Sequence, residues 1–566
     1  MEKRWVLTSN CNDDTVKKLA EQLNIDRSLA QILVQRNICD FDQARYFFRP
    51  ELTQLHDPFL MKDMDLAIRR IERALSLHEK ILIYGDYDVD GTTSVALAYS
   101  FFSQFTENIE YYIPDRYLEG YGISTAGIDY ANENGFSLII ALDCGIKSLD
   151  KVDYANAFGI DFIICDHHLP GDEIPKAVAV LDPKRIDCEY PFKELAGCGI
   201  GFKLAQAYAQ KHHLTADTYL RYLDLVMVSI AADIVPVVGE NRILAYYGLK
   251  KLNTNPCEGL RALMEVSGKK ENYTITDVVF TLGPRINAAG RIDHAKHAVA
   301  MLLCEVDGNS LEQSESINLK NTERKTYDQD ITREALDLIG SSDHLINRKT
   351  TVVFNENWHK GVIGIVASRL TEKYYRPTIV LTKSNGHVAG SCRSVVGFDL
   401  YEALSGCADL LDQFGGHKFA AGLTMQADKV DAFADKFEEI VSASITEELL
   451  TPMIKIDAEI KLDQIDGKFF RVLAQMGPFG PENMAPVFVS HGVYLDRPAM
   501  AVGANHLKII IKQQNSPIFE CIAFGLAEFQ NLLQPKVPFS VCYTIEENVW
   551  RDKKRMQLNV KGIKVN

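Results

Sequence analysis

The 566-residue sequence lacks the marks of secreted and membrane-spanning proteins. No two of its 12 cysteines lie closer than ten residues apart, which excludes C-x-x-C zinc ribbons and thioredoxin-type motifs and resembles no secreted disulfide framework. No apolar run reaches the roughly 20 residues that a transmembrane helix needs. The N-terminus, MEKRWVLTSNCNDD, turns polar at once and shows no signal peptide. We therefore expect a cytoplasmic protein without a membrane partner.

Positive charge is also scarce. The chain has 61 Lys+Arg against 76 Asp+Glu, a net charge of −15, so a wholly basic nucleic-acid-binding protein is excluded. A local basic surface, or binding through metal ions, is not excluded. Residues 455–566 are mildly basic, because 14 Lys+Arg against 11 Asp+Glu give them a net charge of +3.

Short apolar runs separated by polar or helical stretches begin at Lys80. Runs of this length are typical of strands buried on both faces, and their alternation with helices predicts an α/β domain with a doubly wound parallel sheet. Aspartates follow four of these runs, at the strand ends where ligands bind in such sheets. The runs are ILIYG (81–85), IEYYI (109–113), SLIIAL (137–142), DFIIC (161–165) and AVAVL (177–181), and the aspartates are Asp86, Asp143, Asp166 and Asp182.

The rest of the chain divides by pattern. A charged stretch without proline or glycine from Ser314 to Leu338 predicts one helix joining two domains, strands and helices then alternate again, and short strands with turns end the chain as a small β barrel or sandwich. The predicted segments are an N-terminal helical segment (1–60), a first α/β domain (61–313), a connecting helix (314–340), a second α/β domain (341–454) and a β module (455–566).

Three alternate aspartates, Asp86, Asp88 and Asp90, follow the first apolar run. The segment DYDVDG matches the start of an EF-hand loop, but position twelve is Leu97 instead of Glu and a strand precedes it, so a calcium loop is excluded. Helix N-capping accounts for one aspartate and not for three. Because carboxylates this close repel one another unless a cation holds them, the segment predicts a metal site.

Three later segments offer ligands of the same kind. Asp143 alone indicates only a turn, whereas Asp166-His167-His168 places two imidazoles at a strand end, and Asp233 ends an apolar helix where an unpaired carboxylate is costly. Oxygen and imidazole ligands without thiolate suit Mn²⁺ or Mg²⁺ better than structural zinc. Five or six ligands favour two ions that share a bridging carboxylate, as in phosphoester hydrolysis.

In this order, the segments DYDVDG, LDCG, DHH and AADIVP resemble the DHH phosphoesterase superfamily. Further segments resemble its RecJ family of single-strand-specific DNA exonucleases, so the resemblance spans about residues 60–566. Each motif alone is weak, and the combination is highly specific. The further segments are LGPRINAAGR (282–291), WHKGVIGIVASRL (358–370), GSCRS (390–394), FGGHKFAAG (414–422) and MGPFGPENMAPVF (476–488).

This resemblance implies a parallel-sheet DHH domain, a second α/β DHH-associated domain joined to it by a long helix, and a C-terminal OB-like β barrel. It implies a 5′→3′ exonuclease that degrades single-stranded DNA to 5′-mononucleotides by two-metal-ion hydrolysis, in DNA repair and recombination. Single-strand-binding protein and a RecQ-type helicase are the protein partners that it implies. We expect a monomer.

The resemblance also implies roles for single residues. His168 is implied to lie near the substrate or the metal, and whether Asp86 binds metal directly stays open. His417 joins Asp143, His167 and His168 as an implied catalytic group. The implied metal ligands are Asp88, with Asp86, for one ion, Asp90, His167 and Asp233 for the other, and Asp143 as the bridge.

A phosphate pocket is predicted in the second α/β domain. The adjacent Gly415 and Gly416 let backbone approach a phosphate closely, and His417 could then donate to a phosphoryl oxygen. The residues alone favour a glycine turn with a surface histidine, and the resemblance favours the phosphate site. Ser391 and Arg393 lie in a predicted loop, 390–394, that is small, polar and cationic.

Arg285 and Arg291 flank Asn287 in a predicted Pro-bearing turn, at 282–290, and are further candidates for bidentate phosphate contacts. For each arginine, a surface salt bridge is the alternative in so acidic a protein. The segment GCGIGFK (197–203) lacks the G-x-x-x-x-G-K-[ST] spacing and does not follow a predicted strand, so it is not interpreted as an ATP-binding loop.

An OB-like barrel binds single strands through a cationic groove and aromatic stacking. The basic run at 551–555 fits such a groove, or a solvated hairpin turn. Two other functions stay open. A DHH enzyme for short oligonucleotides or cyclic dinucleotides needs no strand-binding barrel, and the intact ligand set argues against a non-catalytic replication scaffold.

Overall fold

The computed structural model describes residues 3–8, 11–269, 272–304, 308–384, 386–550 and 553–565. The chain forms two compact units. The larger unit comprises Leu7–Lys320 and Ile456–Asn566, and the smaller unit comprises Met1–Val6 and Asn321–Lys455. Among the described residues, no helix has both the length and the apolar character needed to cross a membrane.

The N-terminal segment is helical, as predicted, after a short strand β1 (Arg4–Leu7). Asn12, Asp26 and Asp40 each cap one of the first three helices by accepting a backbone N–H. The buried face of α1 and α2 belongs to the same hydrophobic core as the C-terminal β module. The helices are α1 (Asp13–Leu23), α2 (Arg27–Gln35), α3 (Phe41–Phe48) and α4 (Met64–Ser76).

A five-stranded sheet in the order β3-β2-β4-β5-β6 forms the centre of the larger unit, and all its pairings are parallel. Alternate strand residues face two different cores, Ile81 and Ile83 on one side and Leu82 and Tyr84 on the other. This confirms the predicted doubly covered sheet. Its elements are β2 (Lys80–Gly85), α5 (Val89–Phe102), β3 (Ile109–Tyr112), α6 (Thr125–Glu133), β4 (Phe136–Leu142), α7 (Leu149–Ala157), β5 (Asp161–Cys165) and β6 (Ala179–Leu181).

Helices follow the sheet, and the predicted turn at 282–290 is wrong. A π-helical turn, Val278–Leu282, leads directly into an α-helix. Pro284 fits there because the first turn of a helix needs no N–H from it. These helices are α8 (Gly197–Lys211), α9 (Asp217–Leu220), α10 (Leu223–Ala232), α11 (Gly239–Thr254), α12 (Glu258–Ser267), α13 (Ile275–Asp277), α14 (Gly283–Ile292) and α15 (Lys296–Leu302).

One helix, α16 (Ser310–Gly340), confirms the predicted long connecting helix. The smaller unit then forms a mixed five-stranded sheet in the order β10-β11-β9-β8-β7, in which only β7 and β8 pair in parallel among the described strands. Its elements are α17 (Asp343–Ile346), β7 (Thr351–Phe354), α18 (Ile363–Tyr374), β8 (Thr378–Ser384), β9 (His387–Arg393), α19 (Leu400–Ser405), β10 (Gln413–His417), β11 (Ala420–Met425) and α20 (Val430–Ser444).

The β module is a closed barrel, which confirms the OB-like prediction over the sandwich. Strand order runs β14-β15-β16-β18-β17, and β17 pairs back with β14. Strand β12 (Met453–Ile456) pairs with β1 outside the barrel. The remaining elements are β13 (Ala458–Glu459), α21 (Gly467–Gln475), β14 (Phe488–Val502), β15 (His506–Lys512), β16 (Phe519–Phe524), β17 (Phe539–Trp550) and β18 (Lys553–Val565).

Candidate metal centre and phosphate-binding residues

The predicted acidic residues gather at the carboxyl edge of the parallel sheet. Asp86 follows β2 directly, and Asp88 caps α5 by accepting the Gly91 N–H at 3.0 Å. Asp143 follows β4 with a φ of 59°, a left-handed conformation that aspartate tolerates better than most residues. Parallel strands bring these positions to one edge because all their carboxyl ends point the same way.

Asp90 is the most firmly held of these carboxylates. It is 1% exposed and accepts N–H groups from Gly197 at 2.7 Å and Cys198 at 2.8 Å. The Ser229 hydroxyl donates to it at 2.8 Å, and that of Ser94 at 3.3 Å. Its two oxygens are therefore fixed by groups from three helices.

His167 lies among three carboxylates. Its Nε2 is 3.2 Å from Asp143 Oδ1, 3.6 Å from Asp233 Oδ2 and 3.8 Å from Asp90 Oδ2. Neither ring nitrogen of His167 has a hydrogen-bond partner within the described part of the chain, and neither does Asp143 Oδ1. Buried polar atoms are rarely left without partners. A cation among these four side chains would satisfy them, so the residues fit a metal ion.

Two groups of side chains in the structure have the spacing to hold a metal ion, and they share His167. Neither contains Asp86 or Asp88 among the described residues. Asp86 Oδ1 accepts the Gly122 N–H at 3.2 Å, while its buried Oδ2 has no described partner. The groups are Asp143 with His167 and His168, and Asp90 with His167 and Asp233.

The pKa values of these side chains are shifted because the side chains are buried and several carboxylates lie close together. Burial raises the pKa of Asp143 well above its ordinary value, and repulsion from Asp90 and Asp88 adds to the rise. Burial and then Asp90 raise the pKa of Asp233 to about 8. Burial lowers the pKa of His167. A bound divalent cation favours ionised carboxylates and neutral imidazole, so it opposes the rise at Asp143 and Asp233.

Asp166 contacts both histidines. It accepts the backbone N–H of His167 at 2.8 Å and pairs with the imidazole Nδ1 of His168 at 2.7 Å. Burial alone would raise the pKa of Asp166, but its hydrogen bond and charge interaction with His168 lower that pKa to about 2. Burial opposes a rise at His168, but Asp166 raises the pKa of that imidazole to about 9. In the metal-free protein, the Asp166 carboxylate therefore favours the protonated form of His168.

Arg116 and Tyr121 also lie at this edge of the sheet. The sequence motifs predicted neither residue as part of the site. The Arg116 guanidinium lies 4.7 Å from the centre of the Tyr87 ring, and no described carboxylate lies within 4.0 Å of it. The Tyr121 hydroxyl is 3.2 Å from His168 Nε2. The segment PDRYLEGYG, rich in aromatic residues between β3 and α6, is the signal that could have identified them.

Arg285 and Arg291 lie on α14. Arg285 donates to Asn318 Oδ1 at 3.0 Å and to the Thr281 carbonyl at 2.7 Å, and no described carboxylate pairs with it. The Tyr117 hydroxyl donates to the Arg291 carbonyl. A β-carbon at Gly290 would lie 2.8 Å from the Tyr87 carbonyl, so α14 packs tightly on the segment that carries the acidic residues.

In the smaller unit, the loop predicted over 390–394 is wrong, because Ser391 and Arg393 end strand β9. Residues two apart on a strand share a face. The Arg393 guanidinium donates to the hydroxyls of Ser368 and Ser391, both at 3.2 Å, and to the Cys392 carbonyl at 2.8 Å. No described carboxylate pairs with it, so the salt-bridge alternative fails for Arg393.

Gly415, Gly416 and His417 belong to strand β10 and not to a turn. Gly416 has a φ of 142°, and a β-carbon there would lie 2.4 Å from the Ala420 carbonyl, so the hairpin with β11 requires glycine. Gly415 pairs with Gly422, and among the described residues beyond its chain neighbours no atom lies within 4 Å of a β-carbon at Gly415, so that side of the strand is open. His417 is exposed, as a phosphate contact requires.

Comparison with known sequences identifies the family. Profiles match residues 80–230 (DHH family, N-terminal domain), 347–443 (DHHA1 domain) and 456–562 (RecJ OB domain). The single-stranded-DNA-specific exonuclease RecJ of Bacillus subtilis (strain 168) is 37% identical over 99% of this chain and 71% of its own length. The single-stranded-DNA-specific exonuclease RecJ of Escherichia coli (strain K12) is 32% identical over 89% of this chain and 90% of its own length. This chain belongs to the RecJ family.

Solved RecJ structures agree with this fold. A crystal structure of RecJ in complex with Mn²⁺ from Thermus thermophilus matches 100% of this chain and 80% of that one, with 25% identity and a TM-score of 0.85. A crystal structure of exonuclease RecJ bound to manganese matches 70% of this chain and 97% of that one, with 30% identity and a TM-score of 0.61. RecJ structures were solved with Mn²⁺ and with Mg²⁺, and this RecJ chain has acidic and histidine groups that could bind either ion.

Some basic side chains in the barrel of this RecJ chain are paired with carboxylates. Lys508 and Arg555 both pair with Glu520, at 3.3 and 3.5 Å. Lys554 pairs with Glu547 at 2.9 Å. Of the predicted basic run at 551–555, residues 551 and 552 lie outside the described residues, and the remainder begins β18.

Proposed function

We propose that this RecJ-family chain is a 5′→3′ exonuclease that degrades single-stranded DNA to 5′-mononucleotides. The observation that carries the proposal is the group of buried side chains around His167, which have no described partner for Asp143 Oδ1 or for either imidazole nitrogen. Such a group suits a centre for divalent cations. The single-stranded DNA preference follows from the relatives, whose names state it.

Two ions are proposed, Mn²⁺ or Mg²⁺. Asp143 is proposed as their bridge, and His168 as a neighbouring group that faces the substrate. When bound, paired divalent ions act as Lewis acids on a phosphodiester and assist both the attacking and the leaving oxygen. The proposed ligands are Asp86 and Asp88 for one ion and Asp90, His167 and Asp233 for the other.

The chain's own residues supply orientation and charge. His168, whose Nδ1 is paired with Asp166, would donate a hydrogen bond from Nε2 towards a phosphate oxygen when protonated. Arg116, stacked on Tyr87 without a described carboxylate partner, offers a guanidinium for a phosphate beside Asp86 and Asp88.

Arg393 and Ser391 are proposed to hold the terminal 5′-phosphate. Arg393 is supported only by hydroxyl and carbonyl oxygens, so its charge is not neutralised by a described side chain. Gly415, Gly416 and His417 are proposed to face the same substrate through the open side of the strand at Gly415 and the exposed imidazole. Arg285 and Arg291 are proposed for phosphates further along the strand.

The finer partner assignments are also proposals. Single-strand-binding protein would deliver coated strands, and a RecQ-type helicase would supply unpaired 5′ ends. We propose that the chain acts as a monomer. Size-exclusion chromatography with light scattering checks the last point, and a dimeric mass would contradict it.

The function is tested with purified protein, Mn²⁺ and DNA labelled at either end. We expect a 3′-labelled single strand to shorten step by step from its 5′ end, and a blunt duplex of the same sequence to stay intact. Chelation by EDTA should stop the reaction. Cleavage of only dinucleotides or cyclic dinucleotides, or no cleavage at all, would contradict the proposal.

A further inference from the structure

The segment Gly197-Cys198-Gly199 is not interpreted as an ATP-binding loop from the sequence, and in the structure this segment is helical. It forms the first turn of α8, buried beside the acidic edge of the sheet. From there it contacts two of the proposed metal ligands, Asp90 and Asp143, in two different ways.

The contact with Asp90 is made by hydrogen bonds. The Gly197 N–H donates to Asp90 Oδ2 at 2.7 Å and the Cys198 N–H to Oδ1 at 2.8 Å. The first N–H groups of a helix have no acceptor within the helix, and the positive end of the helix favours an ionised carboxylate. The Ser229 hydroxyl, fully buried on α10, adds a third hydrogen bond at 2.8 Å.

The contact with Asp143 is steric. A β-carbon at Gly197 would lie 2.7 Å from Asp143 Cβ, 3.0 Å from its Oδ1 and 3.1 Å from its Cα. Gly197 has an ordinary helical backbone with a negative φ, so an alanine could adopt its conformation. Glycine is therefore needed for space alone. Any side chain at Gly197 would push Asp143 away.

Asp143 has an oxygen that its surroundings leave without a partner. Asp143 Oδ1 and His167 Nε2 are buried, 3.2 Å apart, and lack hydrogen-bond partners among the described residues. Both atoms therefore face a space where a ligand is expected. A small displacement of Asp143 would change the distances among the ligand atoms at this point.

We propose that Gly197 is a positioning residue of the metal centre. Its N–H fixes Asp90, and its missing side chain lets Asp143 pack against it, so one residue sets the spacing of two carboxylates. Ser229 is a second positioning residue that acts through Asp90. This inference rests on the proposed two-ion function.

The test uses Gly197→Ala with Gly199→Ala as its matched control. Both variants replace a glycine of the same helical turn by a better helix former. Among the described residues, the nearest atoms to a β-carbon at Gly199 would be those of the Leu195 side chain, of which Cδ2 at 3.4 Å is the closest, an ordinary contact. Calorimetric titration with Mn²⁺ alone, without DNA, measures the affinity. Altering groups that orient metal ligands typically weakens binding roughly 10- to 100-fold, which we expect for Gly197→Ala and not for Gly199→Ala.

Ser229→Ala provides a second variant in case Gly197→Ala does not fold. It removes one hydrogen bond to Asp90 without adding bulk, so we expect a weaker Mn²⁺ affinity at unchanged secondary structure. Ser229→Thr keeps the hydroxyl and should restore part of the affinity. A residue that only supported the fold would change the unfolding temperature and leave the Mn²⁺ affinity of the folded protein as it was.

Failure of this inference can be told apart from failure of the proposed function. If the wild-type protein binds Mn²⁺ and degrades single-stranded DNA while folded Gly197→Ala and Ser229→Ala bind Mn²⁺ with wild-type affinity, only the positioning role is overturned. If the wild-type protein binds no Mn²⁺, both are overturned.

Discussion

The acidic edge of the larger unit and the surroundings of Arg393 in the smaller unit have opposite charge imbalances. At the acidic edge, Asp90, Asp143 and Asp233 crowd around one imidazole, and burial raises the pKa of Asp143 and Asp233. Around Arg393, only neutral oxygens meet the guanidinium. In the first region carboxylates outnumber the nearby cations, and in the second the guanidinium has no described anionic partner. Divalent ions would supply positive charge at the acidic edge, and a DNA phosphate would supply negative charge beside Arg393.

The barrel differs from both regions because several of its basic side chains are already paired with carboxylates. Glu520 pairs with two cations, and Glu547 pairs with a third. We therefore expect unpaired charge, and not the number of basic residues, to identify the functional surfaces of this chain. The predictions below test this contrast in each region.

The largest effect is expected for Asp143→Asn. Asparagine has nearly the same shape and tolerates the left-handed φ of 59° at this position, so the fold should survive. The lost charge removes the proposed bridge, and we expect kcat to fall on the order of 10³- to 10⁴-fold, as for other residues that act as a unit. Single-turnover cleavage of single-stranded DNA measures it. Near-normal turnover in the folded variant would contradict the bridging role.

A smaller and substrate-dependent effect is expected for Arg393→Ala. Losing a charged hydrogen bond of about 1.5–3 kcal/mol should slow cleavage of 5′-phosphorylated DNA about ten- to a hundred-fold. Cleavage of 5′-hydroxyl DNA should change far less. Arg393→Lys should recover only part of the lost cleavage rate, because an ammonium ion lacks the planar arrangement of donors that a guanidinium has. An equal fall in kcat/KM on both substrates would move the 5′-phosphate pocket elsewhere.

Much of the fold follows from the sequence because its patterns are local. The five apolar runs became the five strands of the parallel sheet, and the charged stretch before Gly340 became one helix. The two wrong predictions, turns or loops at 282–290 and 390–394, came from reading proline, glycine and small polar residues as turn formers. Proline is also suited to a first helical turn, as at Pro284, and the small residues before Arg393 fit a sheet.

The site was predictable in its residue types and not in its supporting contacts. Alternate aspartates and paired histidines at strand ends indicate metal ligands without any coordinates. The groups that hold them are distant in sequence, as Gly197 is from Asp90. Arg116 and Tyr121 belong to no motif of charge spacing, and only tertiary structure places Tyr121 beside His168.

The acidic edge should also make metal-free protein sensitive to pH. The pKa of Asp233 is raised to about 8 and that of His168 to about 9, above the ordinary values of about 3.9 and 6.5. For groups raised in this way, stability is lost as pH rises through the folded pKa. We expect the Tm of metal-free protein to fall between pH 7 and 9. Saturating Mg²⁺ should remove the fall, and so, in part, should Asp233→Asn. A metal-free Tm that rises over this range would contradict the account.

The smallest effect is expected in the barrel, from Glu520→Gln. This change frees Lys508 and Arg555 from a shared carboxylate. If the barrel binds DNA, affinity should rise a few-fold, and the slope of log affinity against log salt should steepen by about 1. Glu528→Gln, at an exposed acid outside the described ion pairs, is the control of equal charge change. An identical salt slope in both variants would exclude the Glu520 surface from the DNA path.

The central claim is that the buried side chains around His167 bind two metal ions. Crystals grown with Mn²⁺ test it directly, by anomalous scattering at an energy where manganese absorbs. The account predicts two peaks roughly 3.5–4 Å apart, both within ligand distance of Asp143, with one of them at His167 Nε2. A single peak, or none among Asp90, Asp143, His167 and Asp233, would contradict it.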